Sequence, residues 1–194
     1  GSTPMEQMAF MEELERVEAP SIVINACEIQ AHGLMQFGSK AQQAYFIPKI
    51  ARGELQFCLG YSEPGSGSDL ASLKTTAVLD GDEWVINGQK IWTSRAEYSD
   101  LMLLLARTTP REECAKKTDG LSVFLVDMRE VRGTSLTIRP IRTMMNHSTT
   151  ELFFDDMPIP ASSLVGEEGK GFRYILSGMN AERMLIAAEC IGDA

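Results

Sequence analysis

The stretch Gly60-Tyr-Ser-Glu-Pro-Gly-Ser-Gly-Ser-Asp69, with Asn87-Gly-Gln-Lys-Ile-Trp-Thr-Ser94 after it, decides how the chain is read. The first segment is the end of a strand running into a loop. Pro64 fixes φ, Gly65 and Gly67 allow a ligand to come close to the backbone, and Ser62, Ser66 and Ser68 offer small donors and acceptors. Such a loop suits a phosphate or the polar edge of a ring system. Taken alone, Gly-Ser-Gly-Ser reads more readily as a surface linker. It is not a nucleotide P-loop, because the Gly-Lys-Ser/Thr ending is missing. In the second segment an Asn-Gly hairpin signal precedes a strand carrying Trp92 beside Thr93 and Ser94. An indole face next to hydroxyls suits a flat heteroaromatic ligand. By itself, Trp92 reads more readily as an ordinary core aromatic.

Outward from these segments, residues 57 to about 165 alternate β-type runs with turn residues. The runs predict strands at Phe57–Ser62, Lys74–Leu79, Trp84–Ile86, Gln89–Thr93, Leu101–Arg107, Ser122–Asp127, Leu136–Ile141 and Glu151–Asp155. Asp80-Gly81 and Asn87-Gly88 both read as hairpin turns. Many short strands imply a barrel or sandwich rather than βαβ units.

The chain before residue 57 reads as helical. Met5 to Val17 is rich in helix formers, and Ile22, Val23, Ala26, Ile29 and Ala31 recur at helical spacing until Gly33 interrupts them. Ser39 is a plausible N-cap for a third helix, Pro48 a potential kink or stop within it, and Gly53 its C-cap glycine. Residues 169–194 return to helix, with Phe172, Ile175, Leu176, Met179, Ile186 and Cys190 forming one apolar side. On that wheel Arg183 falls near the middle of the apolar face and Glu182 at its edge, where a solvated glutamate is the bland expectation. The sequence stops at Ala194 with this helix unfinished. It therefore reads as a piece of a longer protein, and Gly1-Ser-Thr-Pro4 as an expression scar.

The formal net charge of −9 argues against a broad nucleic-acid-binding surface, which needs clustered Lys and Arg. Cys27, Cys58, Cys114 and Cys190 are scattered, with no Cys-x-x-Cys and only His32 and His147 to join them, so no metal site is expected. His147 itself reads as a surface or packing residue. Reduced thiols fit a cytoplasmic setting, and no apolar run approaches the roughly 20 residues that span a bilayer.

Taken together and in order, Ser-Glu-Pro-x-x-Gly-Ser-Asp, Asn-Gly-x-Lys and Trp-x-Ser resemble the acyl-CoA dehydrogenase family. Phe46-Ile-Pro-Lys-Ile-Ala-Arg-Gly-Glu54, Glu151-Leu-Phe-Phe-Asp-Asp-Met-Pro-Ile-Pro160 and Gly166-Glu-Glu-Gly-Lys-Gly-Phe172 agree with it. The resemblance covers nearly the whole chain from about residue 20. It departs from the family at Leu59, where many relatives have an aromatic, and at Arg95, where an Asn is common. It implies an α+β fold: part of an N-terminal helical domain at 1–56, a middle β-barrel domain at 57–166, and the first helix of a C-terminal helical domain at 167–194.

The resemblance further implies FAD and an acyl-CoA substrate, with an electron-transfer flavoprotein as acceptor and a full-length homotetramer or homodimer. It carries no implication of nucleic acid or membrane. Residue by residue, it assigns flavin contacts to Leu59, Tyr61, Ser62, Gly67, Ser68, Trp92, Thr93 and Ser94. CoA contacts fall on Ser68, Asn180 and Arg183. The catalytic base would be Glu182, as in the isovaleryl- and long-chain-type enzymes; most members carry the base later, beyond residue 194. The implied reaction is α,β-dehydrogenation to the trans-2-enoyl thioester in fatty-acid or branched-acyl catabolism, with a raised pKa expected at the base. Alternatives are a catalytically incomplete flavin- or acyl-binding fragment and an acyl-CoA oxidase-like relative.

Overall fold

A computed structural model describes residues 3–19, 31–144 and 148–194. The helix expected over Ile22–Ile29, together with Cys27 and His147, lies outside the described residues. Helix α1 (Pro4–Arg16) starts from Thr3, whose hydroxyl and Glu6 form a capping box. Residues 31–37 are helical through Gly33, which does not interrupt them. Helix α2 (Lys40–Ala51) is capped by Ser39 with Gln42 and continues through Pro48. Pro48 sits in the last turn, where its missing N–H removes a single helical hydrogen bond. Gly53 then takes φ +69°.

The strands are β1 (Phe57–Gly60), β2 (Thr76–Asp80), β3 (Glu83–Ser94), β4 (Leu101–Arg107) and β5 (Leu121–Asp127). After a short helix α3 (Met128–Val131) come β6 (Leu136–Pro140), β7 (Thr149–Pro160) and β8 (Leu164–Val165), and then helix α4 (Gly171–Asp193). The sheet order is β6-β7-β3-β2-β4-β5-β8, with β1 added parallel to β4. The expected barrel is not closed. Strands β6 and β8 end the path unpaired with each other, and its two halves join only through the parallel bridge Thr76–Arg107.

The halves instead face each other across one core. Trp84, Ile86, Leu152 and Phe154 from one half meet Met102, Leu104, Phe124 and Val126 from the other, and the Trp84 and Phe124 rings lie 5.2 Å apart. The opposite face of β4 and β5, through Leu103, Leu105, Val123 and Leu125, is covered by helices bearing Leu34, Ile50 and Ile175. Strand β4 is thus buried on both faces, which is why it reads as an unbroken apolar run rather than an alternation.

Asp80-Gly81 is a hairpin turn as expected, with Asp80 paired to Glu83. Asn87-Gly88 is not. Strand β3 runs straight through it, and the ladder to β7 shifts register between Ile86 and Gly88. Gly88 has φ +147°, and a Cβ there would lie 2.5 Å from Thr75 Oγ1. The Asn87 amide bonds across to the Asp156 carboxylate and accepts from the Asp156 backbone N–H, both at 2.9 Å.

Helix α4 also corrects the sequence wheel. Its buried side runs through Gly171, Ile175, Leu185 and Ala188, while Leu176, Ile186, Cys190 and Arg183 are exposed. Gly171 lets the helix start against β5: a Cβ there would meet the Ser122–Val123 backbone at 2.7 Å. A hydrophobicity-weighted wheel gives no credit to this glycine, so its centre rotates away from the true contact face. Farther along, α4 packs on α1 through Met11, Leu185 and Ala188. Among the described residues no helix is long and apolar enough to cross a membrane.

Candidate functional site

The loop after β1 is held by a buried ion pair. Glu63 and Ser66 exchange backbone hydrogen bonds at 3.0 Å, closing a tight turn. The Glu63 carboxylate accepts from the N–H groups of Lys74 (2.7 Å) and Thr75 (2.9 Å) and from Lys90 Nζ (2.9 Å). Lys90 Nζ also donates to the Tyr61 carbonyl at 3.0 Å, and Ile91 N–H to the Ser62 carbonyl at 2.9 Å. The loop is therefore riveted to β3 immediately before Trp92. Burial pulls the Lys90 ammonium down to about 8, against the opposing charge of Glu63. Burial also pushes Glu63 up, but the Lys90 charge and the hydrogen bonds it accepts outweigh this and hold it below its ordinary value. At the far end of the loop Lys117 pairs with Asp69 on the surface.

Trp92 has φ +63°, an uncommon conformation for a bulky residue, and its side chain is 61% exposed. Ser94 is exposed as well, whereas Thr93 is 1% exposed and its hydroxyl is buried without a partner. The ladder shifts between Ile91 and Thr93, which turns Trp92 outward. The side chains of Trp92 and Ser94 are thus presented to solvent and that of Thr93 is not.

Where the sheet meets α4, Leu59, Tyr61, Leu103, Val123, Ile175, Met179 and Glu182 line a cavity of about 40 Å³. Glu182 is half-buried, and burial raises its carboxyl above the ordinary value, with the Arg183 charge opposing. The Tyr61 phenol is pushed up by burial and then by the charge of Glu182. Asn180 and Arg183 are on the solvent side of the helix, with Arg183 Nη1 donating to Asn180 Oδ1 at 2.9 Å. The expected placement is therefore reversed. Glu182 faces inward and Arg183 outward, because the face of α4 that carries Gly171 and Ile175 is the one laid on the sheet.

Residues 58–157 match the family model of the acyl-CoA dehydrogenase middle domain, and residues 1–54 that of the acyl-CoA dehydrogenase N-terminal domain. The chain belongs to the acyl-CoA dehydrogenase family. It is 40% identical over 190 residues to acyl-CoA dehydrogenase FadE26 of Mycobacterium tuberculosis, covering 97% of this chain and 46% of that protein. It is 37% identical over 157 residues to the mitochondrial long-chain specific acyl-CoA dehydrogenase of Sus scrofa, covering 79% and 35%. A solved steroid acyl-CoA dehydrogenase, Tcur3481-Tcur3483, superposes with a TM-score of 0.87 at 35% identity, over 100% of this chain and 48% of that one. The chain spans about half the length of the relatives it matches.

Acyl-CoA dehydrogenases are FAD-dependent, and the residues present fit that group. Trp92 offers an uncovered aromatic face. Ser62, Ser68 and Ser94 make no side-chain hydrogen bond among the described residues, so their hydroxyls are uncommitted. A Cβ at Gly65 or Gly67 would meet nothing within 4 Å, so the loop backbone is open to a ligand. Ser62 lies beside Trp92 through its bond to Ile91, while Leu59 and Tyr61 turn into the cavity with Glu182. In this acyl-CoA dehydrogenase chain, sequence reasoning missed the Glu63–Lys90 pair. A signal was present: Trp84, Ile86 and Lys90 share the inward parity of β3, and an inward lysine needs a carboxylate.

Proposed function

We propose that the full-length protein containing this chain is an acyl-CoA dehydrogenase that converts an acyl-CoA thioester to its trans-2-enoyl-CoA, with Glu182 as the base. One observation carries the reading. Glu182 opens into the same cavity as Leu59 and Tyr61, whose chain continues directly into Ser62 and the segment riveted to Trp92. Bound FAD supplies the acceptor for the hydride that leaves the β-carbon.

The chain's own residues do the rest. The Glu182 carboxylate takes the α-proton of the thioester, and the proton ends on its oxygen. Burial supports this role by bringing its pKa toward working pH. Trp92 packs on the flavin ring, and the Ser62 and Ser94 hydroxyls donate to its polar edge. Thr93 contributes through its backbone, since its hydroxyl is buried. Gly67 and Ser68 border the pyrophosphate; Ser68, Asn180 and Arg183 meet the CoA portion. Electrons pass to an electron-transfer flavoprotein, and the full-length protein assembles as a homotetramer or homodimer.

The test is the absorbance of the purified full-length protein. A yellow protein bleached anaerobically by an acyl-CoA, with a Glu182→Gln form that stays yellow, is the expected result. A colourless protein would favour a binding module, and a Glu182→Gln form that bleaches normally would remove Glu182 as base.

A further inference from the structure

We infer that Tyr61 is a positioning residue for Glu182: its phenol hydroxyl is the hydrogen-bond donor that holds the ionised carboxylate in the cavity between β1 and α4. The inference rests on the reading of Glu182 as the base.

Only three polar side chains line this cavity among the described residues: Tyr61, Tyr174 and Glu182. Tyr174 gives the cavity its ring, stacked on Phe37 at 4.2 Å, while its hydroxyl lies outside, against Gly166 and 3.1 Å from the Glu167 N–H. Arg183, next to Glu182 on the helix, is turned outward and bonded to Asn180. The other elements present apolar groups to the cavity: Gly33 and Phe37 from residues 31–37, Leu103 from β4, Val123 from β5 and Val165 from β8. Helix α1 meets α4 at Leu185 and Ala188 and lines none of this cavity among the described residues. Among the described residues the phenol is thus the donor left for the carboxylate.

Two further observations support it. Burial and the Glu182 charge both keep the phenol protonated, so it is a donor at every pH where Glu182 titrates. Its backbone is fixed, because Lys90 Nζ holds the Tyr61 carbonyl at 3.0 Å. The two side chains make no direct hydrogen bond here. The cavity of about 40 Å³ has room for a bridging water, through which the phenol reaches the carboxylate. A donor to the charged form lowers a carboxyl pKa. Tyr61 therefore counteracts burial and keeps Glu182 ionised at working pH.

The experiment uses the full-length flavoprotein. Glu182 is titrated by carboxyl carbon-13 NMR, assigned with Glu182→Gln, and the pH profile of flavin reduction is recorded with butyryl-, octanoyl- or palmitoyl-CoA, whichever reduces the wild type. Tyr61→Phe should raise the Glu182 titration and the acid limb of reduction together, by about one pH unit for loss of one hydrogen bond to a charged group, with rates expressed per bound flavin. Replacing Tyr61 by 3-fluorotyrosine, a stronger donor, should move both the other way; a purely structural role would not reverse the sign. Titration curves that superimpose on wild type in both variants overturn the proposal. A Glu182→Gln enzyme that still reduces its flavin sinks the base assignment instead, and the NMR titration then decides the Tyr61 contact on its own.

Discussion

Lys90 Nζ lies 2.9 Å from Glu63 Oε1, with the two side chains 0% and 8% exposed. Each ion has further partners: the Tyr61 carbonyl for Lys90, the Lys74 and Thr75 N–H groups for Glu63. Desolvating two charges is expensive, and only such full satisfaction offsets it. The pair therefore fastens the loop to β3 alongside the Ile91–Ser62 backbone bond.

Removing one partner should be far worse than removing both. Lys90→Met should lower unfolding free energy by about 3–5 kcal/mol, the cost of stranding a buried carboxylate. The double variant Lys90→Met/Glu63→Gln should cost clearly less than the two single changes added together. Urea unfolding of the four proteins closes the cycle, and additive effects would count against the pair.

Glu63 also sets a pH limit. Its folded pKa is depressed, so its contribution is present above the ordinary carboxylate range and is lost as pH falls through the folded value. Urea midpoints from neutral to acidic pH should therefore fall for the wild type, with a shallower fall for Glu63→Gln.

Glu182 has the opposite sign. Its folded pKa is raised, so any stability linked to it is present below the ordinary carboxylate value and is lost as pH rises through the folded value. Glu182→Gln should accordingly be the more stable form at pH 7, by under about 1 kcal/mol because the group is only half-buried, and the advantage should vanish in acid. Thermal unfolding at the two pH values measures it. A destabilised Gln form at neutral pH would contradict the burial argument.

Gly88→Ala should be destabilising by about 2 kcal/mol or more, from positive φ and collision with Thr75 together. Gly65→Ala, with ordinary φ and open space, should fall within about 0.5 kcal/mol of wild type. Denaturant midpoints of the pair would expose an error in the bulge geometry if the two were equal.

The protein has two tryptophans, of which Trp84 is 4% exposed and Trp92 61% exposed. Iodide should quench mainly Trp92. In the full-length protein, Trp92→Ala should leave the unfolding midpoint nearly unchanged and weaken flavin binding by roughly tenfold, of the order of one lost aromatic contact. A flavin titration with unchanged affinity would place the ring elsewhere.

Much of this was written in local sequence. The Ser39 cap, the Asp80-Gly81 hairpin and the apolar runs of β4 and β5 depend on contacts within a few residues or on burial so complete that composition reveals it. The ordered motifs from Phe46 to Phe172 were enough for the family. Tertiary structure decided the rest. Asn87-Gly88 has the positive φ that a turn would also use; pairing with β7, which bulges at Asp155-Asp156 opposite Asn87, kept β3 running through it. Arg183 and Glu182 exchanged faces because Gly171, which adds nothing to a hydrophobic pattern, is where α4 starts directly against the β5 backbone. Whether the sheet closed depended on the pairing of β6 and β8 at its two ends. Tyr61 and Glu182 line one cavity only through packing of residues far apart in the chain, which no local periodicity records.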